Sequence, residues 1–254
     1  MLLLLVLAAI FSQTVHAEHA APKFKHPLRV FVLVGQSNMV GHGVITAIDD
    51  DTGCEKNATL QWLVDNVPSY SMLQDNKTGT WTARKDVLMA CNRRDDLLPI
   101  MSNYGNLRAG LCGGDQGQFQ IGPELSLGHS LGAGLNRHKG DKILLIKIAW
   151  GGKSLAEDFR PPSSGGTVGP YYESMIDNVK ATLSNITGYF PNEAGRPVKL
   201  SGLAWHQGWN DGCDLGETSV LNGMILLISA RLLNIVPLQC ILSFVSKISL
   251  RYDR

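Results

Sequence analysis

The chain has 254 residues, a formal charge of +1 and a hydrophobic content of 44%. That length suits one α/β domain whose core is large enough to fold without staples. The charges are mixed along the chain and form no basic stripe, which excludes an ordinary nucleic-acid-binding module.

Residues 1–17, MLLLLVLAAIFSQTVHA, read as a secretory signal peptide. An apolar run from Leu2 to Phe11 precedes Val15-His16-Ala17, which ends on a small residue as a cleavage site requires. The run is too short to span a bilayer. Residues 28–34 (LRVFVLV) form the first expected strand, apolar enough to be buried on both faces. It runs directly into Gly35-Gln36-Ser37-Asn38. Residues 45–121 are rich in Asp, Asn, Gly and Cys and lack a strong period, so they read as a loop-rich insertion clipped by disulfides.

A helix is predicted over 122–139, where Pro123 and Glu124 are start signals and Leu125, Gly128, Leu131, Gly132 and Leu135 share one face. The second strand is predicted over 143–149 (ILLIKIA), followed by Trp150-Gly151-Gly152-Lys153-Ser154. A second helix is expected over 171–190, with Met175, Ile176, Val179, Leu183 and Ile186 at helical spacing. The third strand is predicted over 200–205, followed by His206-Gln207-Gly208-Trp209-Asn210-Asp211. Residues 219–254 form an apolar tail without amphipathic period, interrupted by Arg231 and Lys247 before the charged end. It reads as an atypical end, a translated intron or an alternative transcript end. A membrane anchor is the second reading, weakened by Pro237 and Arg231.

Strands alternating with helices imply a parallel sheet covered on both faces. Ligands of such sheets bind at the carboxyl ends of the strands. There this sequence gathers three polar loops containing glycine. Ser37 at a tight strand exit either caps a helix or serves as a nucleophile; the convergence of the loops favours the nucleophile. A glycine backbone N–H at the second loop and the Gln207 amide are candidate donors to a developing oxyanion.

Four stretches carry a family resemblance: Gly35-Gln36-Ser37-Asn38-Met39, Gly122-Pro123-Glu124, Gly151-Gly152-Lys153-Ser154 and Trp205-His206-Gln207-Gly208. In order and spacing, from about residue 28 to 214, they resemble the sialate O-acetylesterase-type domain of the SGNH hydrolases, which is similar to carbohydrate esterase family six. The resemblance implies a flavodoxin-like three-layer α/β/α sandwich with a parallel central sheet. It extends over the domain at 28–218 and lacks a recognisable C-terminal part. It also implies a metal-free, cofactor-free serine esterase that removes acetyl groups from carbohydrates. On the matching positions Ser37 is the nucleophile, and the Ser37 N–H, Gly152 and Gln207 form the oxyanion hole. Gln36, Asn38 and Trp209 are then candidate substrate contacts. Trp209 stands where the family often has Glu.

The family draws its base from a late Asp-x-x-His, and this sequence contains none; His206 is the last histidine. The catalytic Asp and His are therefore unassigned. His206 reads as a structural residue beside the oxyanion loop, His42 as a loop residue, and His129 and His138 as helix surface or packing residues. Asp211 either orients a base or ends a turn with Asn210 and Gly212, and the turn is the favoured reading. Trp150, Trp205 and Trp209 cluster at strand ends, where they stack on a sugar or fill the core edge. Sequons at Asn57, Asn76 and Asn185 join the leader in pointing to a secreted or luminal glycoprotein. Its five cysteines fit an oxidising compartment, and disulfides are expected among Cys54, Cys91, Cys112 and Cys213. An acetylated carbohydrate is the expected partner; neither nucleic acid nor membrane is. The competing function is a non-catalytic truncated form or a carbohydrate-binding pseudoenzyme.

Overall fold

The computed structural model describes residues 24–46, 56–92, 97–114 and 119–212. The leader expected at 1–17, the tail at 219–254 and Cys54, Cys213 and Cys240 lie outside the described residues.

A five-stranded sheet organises the chain, in the order β4-β3-β6-β1-β7. Strands β1 (Leu28–Gly35), β3 (Arg84–Asn92), β6 (Ile143–Ala149) and β7 (Val198–His206) run parallel, and β4 (Asn103–Leu107) pairs antiparallel with β3 at the edge. A ribbon of β2 (Gly43–Val44) and β5 (Gln120–Ile121) stands apart from it. The sequence β6-β1-β7 reproduces the 2-1-3 part of the flavodoxin-like order.

The pleat sends alternate residues to two layers. Val30, Val32, Val34, Leu144, Ile146 and Ile148 face α4 (Pro170–Ser184), whose Met175, Ile176, Val179 and Leu183 cover them. Leu33, Met89, Ile143 and Leu145 face α3 (Glu124–Leu135), which contributes Leu125, Leu127, Leu131 and Leu135. Gly128 lets α3 approach the sheet, because a Cβ there would overlap Leu107. The result is the expected α/β/α sandwich. Burying each large apolar side chain is worth roughly 1.5–3 kcal/mol, and β6, buried at every position but its last, gains most from it.

Two expectations need correction. Residues 45–121 are not an insertion throughout, because β3 and β4 lie within them and belong to the main sheet. The apolar half of β3 is preceded by Arg84-Lys85-Asp86, and β4 reads Asn-Tyr-Gly-Asn-Leu, so neither offers a clean period. The sheet is consequently mixed rather than wholly parallel. The helix expected over 171–190 is interrupted at Asn185, where α4 ends and the short α5 (Ile186–Tyr189) begins. Cys91 on β3 is bonded to Cys112 across 21 residues. In the chain-entropy view such a link contributes roughly 3 kcal/mol.

Candidate active site

The crevice follows from the connections. After β1 the chain passes to the α3 face, with Met39 of α1 (Ser37–Val40) packed in that layer; after β6 it passes to the α4 face. Neighbouring strands whose exits diverge leave a cleft at their carboxyl ends. In register, Gly35 lies beside Ala149 of β6 and His206 of β7. The Gln36 N–H donates to the His206 carbonyl at 3.1 Å, and the Trp150 N–H donates to the Gly35 carbonyl at 3.2 Å. Only glycine fits at position 35, since a Cβ would overlap the His206 carbonyl oxygen.

Gln36 is the N-cap residue of α1 without making a side-chain cap, so Ser37 is the first helical residue. Its hydroxyl is therefore not used as the helix cap, and its amide N–H has no intrahelical acceptor. Ser37 is half-buried and Asn38 exposed. Lys147 braces this short helix from below. The alternation of β6 puts Lys147 inside the α3 layer, where its Nζ donates to the carbonyls of Val40 and Cys112 and to Glu124 Oε2, each at 2.7 Å. Glu124 Oε1 accepts the Gly122 N–H at 2.9 Å. A buried charge survives only when it is paired and hydrogen-bonded in this way.

A second brace ties the three loops together. Gln36 is 2% exposed, and its Nε2 donates to Asn210 Oδ1 at 2.9 Å while its Oε1 faces the N–H groups of Gly208 and Asn210 at 3.4 and 3.5 Å. The Asn210 amide then donates to the Gly152 carbonyl at 3.0 Å. Gln207 Nε2 donates to the Lys153 carbonyl at 2.7 Å. Buried Asp211, on α6 (Trp209–Gly212), receives the Leu155 N–H at 2.8 and 2.9 Å and the Ala156 N–H at 2.8 Å. Asp211 thus clamps the loop after β6 to the loop after β7, which is more than a turn. Its partners lie 55 and 56 residues away in sequence, and no local signal marks them.

The tryptophans separate. Trp150 packs on Phe159 and Tyr171, with ring centroids 5.9 and 5.1 Å apart, and Trp205 meets Phe159 at 5.4 Å. Both fill the core edge. Trp209 is 73% exposed. His42 and His206 are exposed, and His138 stacks on His26 at the amino ends of the strands, away from the cleft. His129 lies on α3, where burial and then the Arg84 charge push its imidazole below the ordinary value, against a smaller opposing effect of Asp86. Among the described residues no cluster of three or more His, Cys, Asp or Glu side chains could hold a metal, and no helix is long and apolar enough to cross a membrane.

A three-layer α/β/α sandwich that delivers Gly-Gln-Ser-Asn from its first strand into this cleft is an SGNH-type domain. The family described as "Carbohydrate esterase, sialic acid-specific acetylesterase" matches residues 27–220, and the chain belongs to that family. No curated protein matches. Seven solved chains do. One is a protein from Arabidopsis thaliana, 15% identical with a TM-score of 0.48, where the match covers 82% of this chain and 69% of that one. Another is the carbohydrate acetylesterase XAC1771 from Xanthomonas citri, at 16% identity and a TM-score of 0.40, covering 79% of this chain and 38% of that one. NanS matches at 16% identity and a TM-score of 0.43, covering 84% of this chain and 65% of that one.

Proposed function

We propose that this chain is a serine hydrolase that removes acetyl groups from glycans, with Ser37 as its nucleophile. One observation carries the reading: Ser37 opens a helix where three strand-end loops are hydrogen-bonded to one another. In the reaction Ser37 Oγ adds to the acetyl carbonyl, and the C–O bond to the sugar breaks. The sugar oxygen leaves with a proton, and water then cleaves acetyl-Ser37 to release acetate. The oxyanion is held by the Ser37 N–H, the Gly152 N–H and the Gln207 amide. An amide nitrogen carries two hydrogens, so Gln207 keeps one after bonding Lys153. Each such donor is worth ~3 kcal/mol in the transition state.

A second reading, a carbohydrate-binding form without turnover, is favoured by the absence of Asp-x-x-His. Without a general base the chemistry loses ~10²–10⁴-fold. Hydrolysis of p-nitrophenyl acetate by wild type, Ser37→Ala and His206→Ala separates the readings. The esterase reading expects Ser37→Ala to fall to the uncatalysed rate while folding normally. A wild-type rate equal to that of Ser37→Ala leaves the binding form. Loss in His206→Ala would identify its ring as the base.

We also infer a secreted or luminal location. The leader, the Cys91–Cys112 bond and the exposed sequon residues Asn57, Asn76 and Asn185 support it. Intact mass from medium, before and after peptide N-glycosidase, is the check; a single unshifted species would refute glycosylation.

A further inference from the structure

Trp209 has no part in the bond-making just described, yet it is the most exposed of the large apolar residues described, ahead of Met72 at 61%. Of the other tryptophans at the strand ends, Trp150 is buried and half-buried Trp205 packs on Phe159, so the fold covers those two indoles and leaves this one out. Its backbone is held. The N–H groups on either side of it, from Gly208 and Asn210, face Gln36 Oε1; the Asn210 side chain is tied to Gln36 and Gly152; and Asp211 is clamped to Leu155 and Ala156. A rigid pedestal therefore presents the indole to solvent beside the cleft. The loop tips around it offer small or polar exposed residues, Asn38, Gly151, Gly152 and His206, which do not cover an aromatic face.

From this geometry we propose that Trp209 is a stacking platform for a pyranose ring of the acetylated glycan. The inference rests on the carbohydrate reading of the cleft, but not on its turnover. A pyranose joins an apolar face of C–H groups to a rim of hydroxyls. It therefore matches an indole face flanked by polar groups, where an aromatic contact adds to area burial alone. A greasy protein partner would instead be expected to find a contiguous apolar patch, and the residues beside Trp209 do not form one.

The test reads binding apart from catalysis. Full-length Ser37→Ala protein is titrated with an O-acetylated sialoside and an acetylated xylo-oligosaccharide, followed by tryptophan fluorescence and saturation-transfer NMR. The platform predicts binding of at least one probe, weakened roughly 5-fold by a further Trp209→Ala and less by Trp209→Phe. It also predicts that both variants keep the parent melting temperature, because the side chain is exposed. Undiminished binding by Trp209→Ala overturns the proposal, and so does the failure of both sugars to bind. Acetate release, measured separately with Ser37 intact, decides the esterase reading. Loss of turnover with tryptophan-dependent binding retained would leave the platform standing alone, and turnover with binding indifferent to Trp209 would leave only the esterase.

Discussion

Strands β6 and β7 flank the same strand β1, run parallel to it and each deliver a loop to the cleft, yet they are held differently. β6 is hydrogen-bonded on both sides, to β1 and β3, and is buried throughout except at Ala149. β7 pairs only with β1 among the described residues; Gly202 is its one buried position, and Val198 is 42% exposed. The loop after β6 thus inherits its position from a strand locked in the core. The loop after β7 cannot, and depends on polar side chains, Gln36, Asn210 and Asp211, that tie it to its neighbours. Packing fixes one half of the cleft and hydrogen bonds fix the other.

The largest test of this contrast is Lys147→Met. It leaves Glu124 buried without its cation, which costs ~3–5 kcal/mol, and it releases the carbonyls of Val40 and Cys112. The urea midpoint should fall accordingly, and Lys147→Met with Glu124→Leu should recover part of the loss. Next come paired truncations. Ile146→Ala in β6 should cost ~3 kcal/mol as a core cavity, whereas Leu203→Ala, in half-exposed β7, should cost ~1 kcal/mol. Equal losses in chemical denaturation would erase the distinction between the two strands.

Asp211→Ala attacks the polar half directly. Two buried N–H donors lose their acceptor, at ~2 kcal/mol. If the clamp positions the oxyanion loop, kcat for acetyl release should fall more than KM rises, and Asp211→Asn should restore part of it. A purely structural role would move the melting temperature and leave kcat per folded molecule unchanged.

The smallest expected effect lies far from the cleft. Burial and Arg84 hold the His129 imidazole below its ordinary 6.5, so the unfolded chain takes the proton more readily. Stability is then full above about pH 6.5 and declines as the pH falls toward the lower folded value. His129→Gln should show a shallower loss of melting temperature between pH 7.5 and 5.5 than wild type. A variant with the same slope would show that His129 has no share in it.

Legibility in the sequence followed the same division. The strands at 28–34 and 143–149 could be read because buried strands are written as continuous apolar runs; the one at 200–205 was legible from its Leu, Ala and Trp between turn residues, although only Gly202 of it is buried. β3 could not, since its buried half includes Cys91 and Asn92 and follows three charged residues. β4, at the sheet edge, exposes Tyr104 and Asn106 and has a glycine between them, so it shows no apolar run. Ser37 and the loops around Gly152 and Gln207 were visible as motifs. The dual tie of Gln36 to Asn210, 174 residues apart, was not.

By itself the sequence determined the three-layer class, the strand that carries Ser37 and the family's motifs, because hydrophobic period and glycine-bearing turns are local properties of the chain. Only the tertiary structure decided that β3 and β4 join the sheet, that Trp150 and Trp205 pack inward while Trp209 faces water, and that Asp211 is a clamp. Each of those depends on which distant residues come within a few ångströms, and hydrogen bonds and burial act at that range, whatever the separation along the chain.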